Sequence, residues 1–268
     1  MIRQTTMIRN NHLFAALCLL AGGLASCSSH IDDELPANNT WTLNVKASKS
    51  DTPATRALSY DGTKITATWK TNETVDVRAY LQLVSRGTLL AQSEGATAVL
   101  KGTIGVPEGV SGYTVGDVLS LWFPDYPGAT ISYSGQLGTL ADIAARFDYA
   151  HANVTVKTVD ASNHVLTTDD ATFVNAQAIV KFTLTCNNSP LSVSTLNVYK
   201  ESVSDENKIA SATLTPANSV VWMAIPPVSG QTIILTANDG TYNYNYSKAS
   251  VTFGASHFYP ITVKMTKE

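Results

Sequence analysis

The chain predicts an all-β fold of two β-sandwich domains with one short helix, and three observations carry that expectation. Apolar and polar residues alternate with period two in segment after segment, the pattern of strands with one buried face. Turn-forming pairs punctuate these segments at short intervals. A single stretch spaces its apolar residues as a helix does. The 268 residues, 44% of them hydrophobic, suffice for two cores of ordinary size.

From the N-terminus, Arg3 and Arg9 precede an apolar run over residues 13–24. Its 12 residues are too few to cross a bilayer and have the layout of a signal peptide, whether the start is Met1 or Met7. The run closes on Leu24-Ala25-Ser26-Cys27, which resembles the lipobox of bacterial lipoproteins and would make Cys27 the residue that carries the lipid. The bland alternative is an ordinary cleavage site with an incidental cysteine. If Cys18 leaves with the signal and Cys27 becomes a thioether, Cys186 is the one thiol left and no intrachain disulfide can form. Cys186 has no basic or imidazole neighbour in sequence to activate it and reads as a partly buried structural thiol. Removing residues 1–26 takes away two arginines and no acid, leaving 16 basic and 21 acidic residues, net −5. Such a chain is held to a membrane by acyl chains, not by charge. The run Asp32-Asp33-Glu34 after the cysteine is either a surface-export signal or a solvated charge run.

Beyond Pro36, Trp41, Leu43 and Val45 alternate with polar residues, as do Ile65, Ala67 and Trp69, and Val75, Val77 and Ala79. Turn signals stand at Asp61-Gly62, Arg86-Gly87, Lys101-Gly102, Pro107-Glu108-Gly109 and Tyr126-Pro127-Gly128. The helix falls on residues 139–147, where Leu140, Ile143, Ala144 and Phe147 share a face behind Thr139 as cap. Strands follow at 178–186, 191–199, 209–214, 220–225, 232–237, 241–246 and 257–265. The polar run at Asp169-Asp170 is the expected boundary. The chain then divides into a signal peptide at 1–26, an acidic tether at 27–39, and sandwiches at 40–168 and 169–268.

Charged residues make up only 15% of the chain, with a net of −3 and no basic footprint, which excludes nucleic acid as a partner. His12, His30, His151, His164 and His257 lack metal-site spacing, so no metal or other cofactor is expected. Hydrolase, metalloprotease, phosphate-loop and redox motifs are all missing, which argues against an enzyme. Asp142 and Asp148, six residues apart, fall on different helix faces and read as solvated. Tyr242, Tyr244 and Tyr246 share one strand face, either as a platform for sugar rings or as packing.

Several stretches together resemble the fimbrillin-like family, the subunits of the type V pili of Gram-negative anaerobes, including its minor-fimbria-like branch. They are the lipobox; Thr55-Arg56-Ala57 followed by Gly62 and Trp69; Val115-Gly116-Asp117-Val118-Leu119 leading into Trp122-Phe123-Pro124; Phe173 ahead of Ala178-Ile179-Val180-Lys181-Phe182; and Gly254 before Tyr259 and Ile261-Thr262-Val263-Lys264-Met265. Where many relatives carry a Gly-Asp turn after the tryptophan, this chain has Asn72-Glu73, and asparagine tolerates the left-handed conformation nearly as glycine does.

The resemblance implies two transthyretin-like sandwiches, a lipid anchor in the outer membrane, and a place at the cell surface in a fimbria. It also implies an arginine-specific protease that cuts between Arg56 and Ala57 and releases the first strand with Trp41, Leu43 and Val45. A strand from another pilus subunit then fills the groove. The adhesion target would be a host glycan or protein. The competing readings are a monomeric surface lipoprotein that binds glycan on the tyrosine stripe, an uncleaved pilus anchor, and an Arg56 that is only a solvated loop residue.

Overall fold

The computed structural model describes residues 39–49, 58–79, 84–124 and 131–268. Cys27, Arg56, Ala57, the signal and tether segments and the Tyr126-Pro127-Gly128 turn lie outside these residues. By contacts the chain separates into residues 1–34 and residues 35–268; everything below concerns the second unit.

That unit is all-β. Its strands are β1 (Thr40–Lys49), β2 (Ser59–Tyr60), β3 (Ile65–Thr66), β4 (Thr74–Ala79), β5 (Ser85–Ala91), β6 (Thr97–Gly105), β7 (Val118–Phe123), β8 (Ala150–Asp160), β9 (Val165–Thr168), β10 (Ala171–Asn175), β11 (Ala178–Cys186), β12 (Ser189–Pro190), β13 (Val193–Lys200), β14 (Lys208–Asn218), β15 (Val220–Ile225), β16 (Val228–Asn238), β17 (Asn243–Phe253), β18 (Phe258–Lys264) and β19 (Thr266–Lys267). The expected helix is α1 (Leu140–Asp142) continued by a π-helical turn at Ile143–Phe147. Thr139 caps it by accepting from the Asp142 amide.

The first sheet closes on itself. Its order β10-β1-β6-β5-β4-β7-β8-β9 is completed by β8 pairing with β10 and by β9 pairing with β1. β9 and β10 act as one strand interrupted at Asp169-Asp170: β1 pairs Thr42 with Val165 and Ala47 with Ala171, so the offset grows by one residue across the interruption. The interior is a core that includes Leu43, Val45, Trp69, Leu89, Leu121 and Phe173.

The second core lies between two sheets. One runs β15-β11-β18, with β12 continuing the β15 side, and the other runs β14-β13-β16-β17-β19. Core membership crosses position 169 in both directions. Ile65, Tyr133, Ile143 and Phe147 belong to the second core, while Ala171 and Phe173 belong to the first.

Several expectations are corrected by this geometry. The alternation Ile65, Ala67, Trp69 is not one strand, because Ile65 is buried in the second core and Trp69 in the first as the chain passes between them. Arg86-Gly87 and Lys101-Gly102 are not turns but lie inside paired strands, Gly87 opposite Ile104 and Gly102 opposite Leu89. A Cβ on Gly102 would be driven into the Thr88 carbonyl oxygen, and one on Gly87 into that of Thr103, so glycine serves close backbone approach there. Asp142 and Asp148 are buried, not solvated: the first accepts from Arg146 Nε at 2.6 Å and from the Leu137 amide at 2.8 Å, the second from Gln177 Nε2 at 3.2 Å. Asn72 does adopt the left-handed conformation, with φ 68°.

Candidate functional site

The alternation of Trp41, Leu43 and Val45 builds a strand that the fold holds on both edges. On one side β1 runs antiparallel to β6 from Thr40 opposite Gly105 to Ser48 opposite Thr97. On the other side it runs parallel to β9 and then β10. The N-terminal strand therefore sits in a slot whose two walls come later in the chain. Removing β1 would open the ring and leave two ladders of unpaired N–H and C=O groups.

The slot has a graded interior. At its start the Trp41 ring stacks on His164, centroids 4.8 Å apart and planes 16° apart, and meets Tyr113 edge-on at 6.1 Å. Gly112 lets the chain pass close over the same ring. Leu43, Val45 and Ala47 follow, all buried. Burial of the larger apolar side chains stabilises by about 1.5–3 kcal/mol each.

At its end the slot is polar, which sequence reasoning missed. Lys49, the next inward position, is buried and sends Nζ to Glu73 Oε2 at 3.0 Å and to the Thr68 carbonyl at 3.3 Å. The ammonium also lies 4.0 Å from the centroid of the Trp69 ring and 4.7 Å from that of Phe123. These two rings meet edge-on at 5.6 Å and form the walls of a cage. Glu73 is fixed independently of β1: its Oε2 accepts from the Lys70 amide at 3.1 Å, and its carbonyl accepts from the Ala91 amide at 2.9 Å. The signal in the sequence was the phase of Lys49, which stands on the apolar face of its strand.

The second sandwich is sealed on one flank and open on the other. On the sealed flank the buried Gln136 side chain pairs with the backbone of Ala224, accepting from its N–H at 2.7 Å and donating to its carbonyl at 2.8 Å. The Trp222 amide donates to the Gly138 carbonyl at 2.9 Å, so the edge of β15 is blocked. On the other flank β18 has β11 as its one paired strand among the described residues. A cavity of about 320 Å³ lies there, lined among others by Phe182, Leu235, Tyr246, Phe253, Tyr259 and Ile261.

The tyrosine stripe divides by depth. Tyr244 is buried and donates its hydroxyl to Asp239 Oδ2 at 2.7 Å, a bond that pushes the phenol up to about 12. Tyr246 is half-buried, and Tyr242 is exposed beneath the Lys267 ammonium. Cys186 is half-buried and free. Among the described residues no group of His, Cys, Asp and Glu is placed to hold a metal ion, and no helix is long and apolar enough to cross a membrane.

No family model matches the chain, and no curated protein matches it. Solved structures to which it is similar include a "putative cell adhesion protein" from Bacteroides ovatus, with TM-score 0.48 and 12% identity over 84% of this chain and 95% of that one. They also include a fimbrial assembly protein from Parabacteroides distasonis, with TM-score 0.39 and 9% identity over 83% and 90%. A third is the tip fimbrial protein Mfa3 from Porphyromonas gingivalis, truncated at its C-terminus, with TM-score 0.39 and 8% identity over 85% and 98%. All three cover most of this chain at low identity.

Proposed function

We propose that the protein is a structural and adhesive subunit of a type V fimbria, exported as a lipoprotein precursor and joined to its neighbours by strand exchange after cleavage at Arg56. The observation that carries this reading is the place of β1. It is the first strand of the described fold, it is bonded on both edges by later strands, and its covalent link to them runs through residues 50–57, which include Arg56-Ala57. One cut there leaves β1 held by noncovalent bonds alone.

The arginines of the described residues are poorer protease targets than Arg56. Arg78 and Arg86 lie in β4 and β5 and Arg146 in the π-helical turn, where the backbone is already engaged, whereas a protease binds its target extended. On the far side of the cut, Leu58 and Tyr60 pack on the second core, and the Tyr60 ring meets Trp222 and Phe258 edge-on at 5.1 and 5.5 Å. The new N-terminus would therefore stay docked while β1 departs with Cys27 and its lipid. A neighbour's strand satisfies both bared ladders and refills the apolar slot, and the alternating C-terminal segment around Ile261, Val263 and Met265 is the candidate donor. The two cores are read as two transthyretin-like domains, and the subunit as anchored to the outer membrane through Cys27 until it is cut.

N-terminal analysis of protein extracted from the cell surface tests the reading. The expected chain begins at Ala57. A surface chain that begins at lipidated Cys27 would contradict cleavage and leave an uncleaved anchor. Separately, Cys27→Ala is expected to move the precursor out of the detergent phase; an unchanged partition would contradict lipidation.

A further inference from the structure

The end of the β1 slot is built as a receptor for an ammonium group, and all of it belongs to the body that would remain after β1 has gone. Trp69, Glu73, the Thr68 carbonyl and Phe123 surround Lys49 Nζ, and among the described residues the Glu73 side chain has only the Lys70 amide as a further hydrogen-bond donor. Glu73 Oε1 is buried without a hydrogen-bond partner. A replacement strand with an apolar residue at this position would fill the ladder and still strand a buried carboxylate. Stranding one member of a buried ion pair is far costlier than exchanging the pair for another.

One other segment of this chain matches the inward face of the slot at all five positions. β1 reads inward as Trp41, Leu43, Val45, Ala47, Lys49, and the C-terminal segment reads Tyr259, Ile261, Val263, Met265, Lys267 at the same spacing. Of the outward positions, Lys264 falls where Lys46 stands, and Lys46 pairs with Asp170 at 3.0 Å on the exposed face, while Pro260 falls where Thr42 stands and cannot supply the amide bond that Thr42 makes to the His164 carbonyl at 2.8 Å. Tyr149 and Phe173 also have a lysine eight positions on, Lys157 and Lys181, but polar residues stand on the same face between them. In the structure the C-terminal segment pairs with β11 along β18 and with β17 at Thr266 and Lys267, and its Val263 and Met265 are buried in the second core, so exchange requires it to leave these places. Among the described residues β18 itself is paired to β11 alone, a cavity lies along its inner face, and Lys267 is exposed.

Resting on the strand-exchange reading above, we propose that the Glu73 cage is the specificity and register determinant of the slot. It selects a strand with lysine eight residues after an aromatic, and the occupant is Tyr259–Lys267 of a second copy of this chain. Tyr259 takes the place of Trp41, and Lys267 that of Lys49. A slip of two residues keeps the apolar face inward but takes Lys267 out of the cage and Lys264 away from Asp170, and of these two losses the buried charge is the costlier.

A labelled nine-residue peptide with the sequence of positions 259–267, added to the full-length precursor during cleavage by an arginine-specific protease, tests this. The parent peptide is expected to bind the cut chain and not the uncut one. A peptide carrying Lys267→Gln is expected to bind about 100-fold more weakly, the scale of stranding one buried charge, and so is one with Met265→Lys and Lys267→Met. Equal binding of the three peptides, within about threefold, overturns the cage as determinant. To separate charge matching from damage, the precursor with Lys49→Gln and Glu73→Gln is expected to bind the glutamine peptide at least as well as the parent; a preference for the parent overturns the proposal. A cut chain that self-assembles but ignores the parent peptide overturns the assignment of Tyr259–Lys267, whereas a cut chain that neither assembles nor binds it overturns strand exchange itself.

Discussion

Lys49 and Glu73 form a buried ion pair, with side chains 2% and 5% exposed. Lys49→Ala leaves Glu73 buried with one donor fewer and is expected to cost about 3–5 kcal/mol in urea unfolding. Lys49→Met combined with Glu73→Leu is expected to cost clearly less, and equal losses in the single and double variants would contradict the coupling. Asp61 gives an exposed contrast at the turn between β2 and β3. Its carboxylate accepts from the Lys64 and Thr63 amides and the Thr63 hydroxyl, which together hold it down at about 2, from an ordinary 3.8. The folded value is depressed, so the contribution to the turn is present above the unfolded value and is lost as pH falls through the folded one. The Thr63 and Lys64 amide shifts are expected to stay flat down to about pH 4 and to move with a midpoint near 2; a midpoint near 4 would contradict the turn geometry. At this scale the sequence was legible where a residue kept its pattern and opaque where a partner was distant. Trp41, Leu43 and Val45 are buried as their alternation requires, whereas Glu73 lies 24 positions from Lys49 and nothing local to either marks the pair.

At the scale of elements, period two located most strands of the second core to within a few residues, because their faces differ in polarity. It failed in two recognisable ways. Glycine reads locally as a turn, yet Gly87 and Gly102 lie across β5 and β6 where backbones approach too closely for a side chain. Gly102→Ala is therefore expected to destabilise by about 1–3 kcal/mol, and a neutral result by thermal unfolding would contradict the close approach. The pattern also cannot separate a strand from a chain that alternates because it passes between two cores, as at Ile65 and Trp69. In β1 the pattern held, and Leu43→Ala is expected to cost about 2–5 kcal/mol and to speed amide exchange in β1 and β6. Protection lost elsewhere but kept in those strands would contradict the placement of Leu43 in the slot.

For the whole molecule, closure of the first sheet is what gives a cut its consequence. A strand lost from an open edge leaves one bare ladder, but β1 is inserted between β6 and the β9–β10 pair, and its loss bares two ladders and an apolar slot at once. The β15 edge is sealed by Gln136, whereas β18 is paired with β11 and the chain beyond it, Thr266–Lys267, with β17. The sequence alone did not reveal the ring, since closure depends on β9 and β10 both reaching β1 from more than a hundred residues away. The most direct test is to treat purified precursor with an arginine-specific protease and examine it by electrophoresis after mild denaturation. The account predicts a released fragment ending at Arg56 and a ladder of oligomers of the chain from Ala57, with Arg56→Ala remaining uncut and monomeric. A cut chain that stays monomeric, or an Arg56→Ala chain that polymerises as well as the wild type, would contradict it.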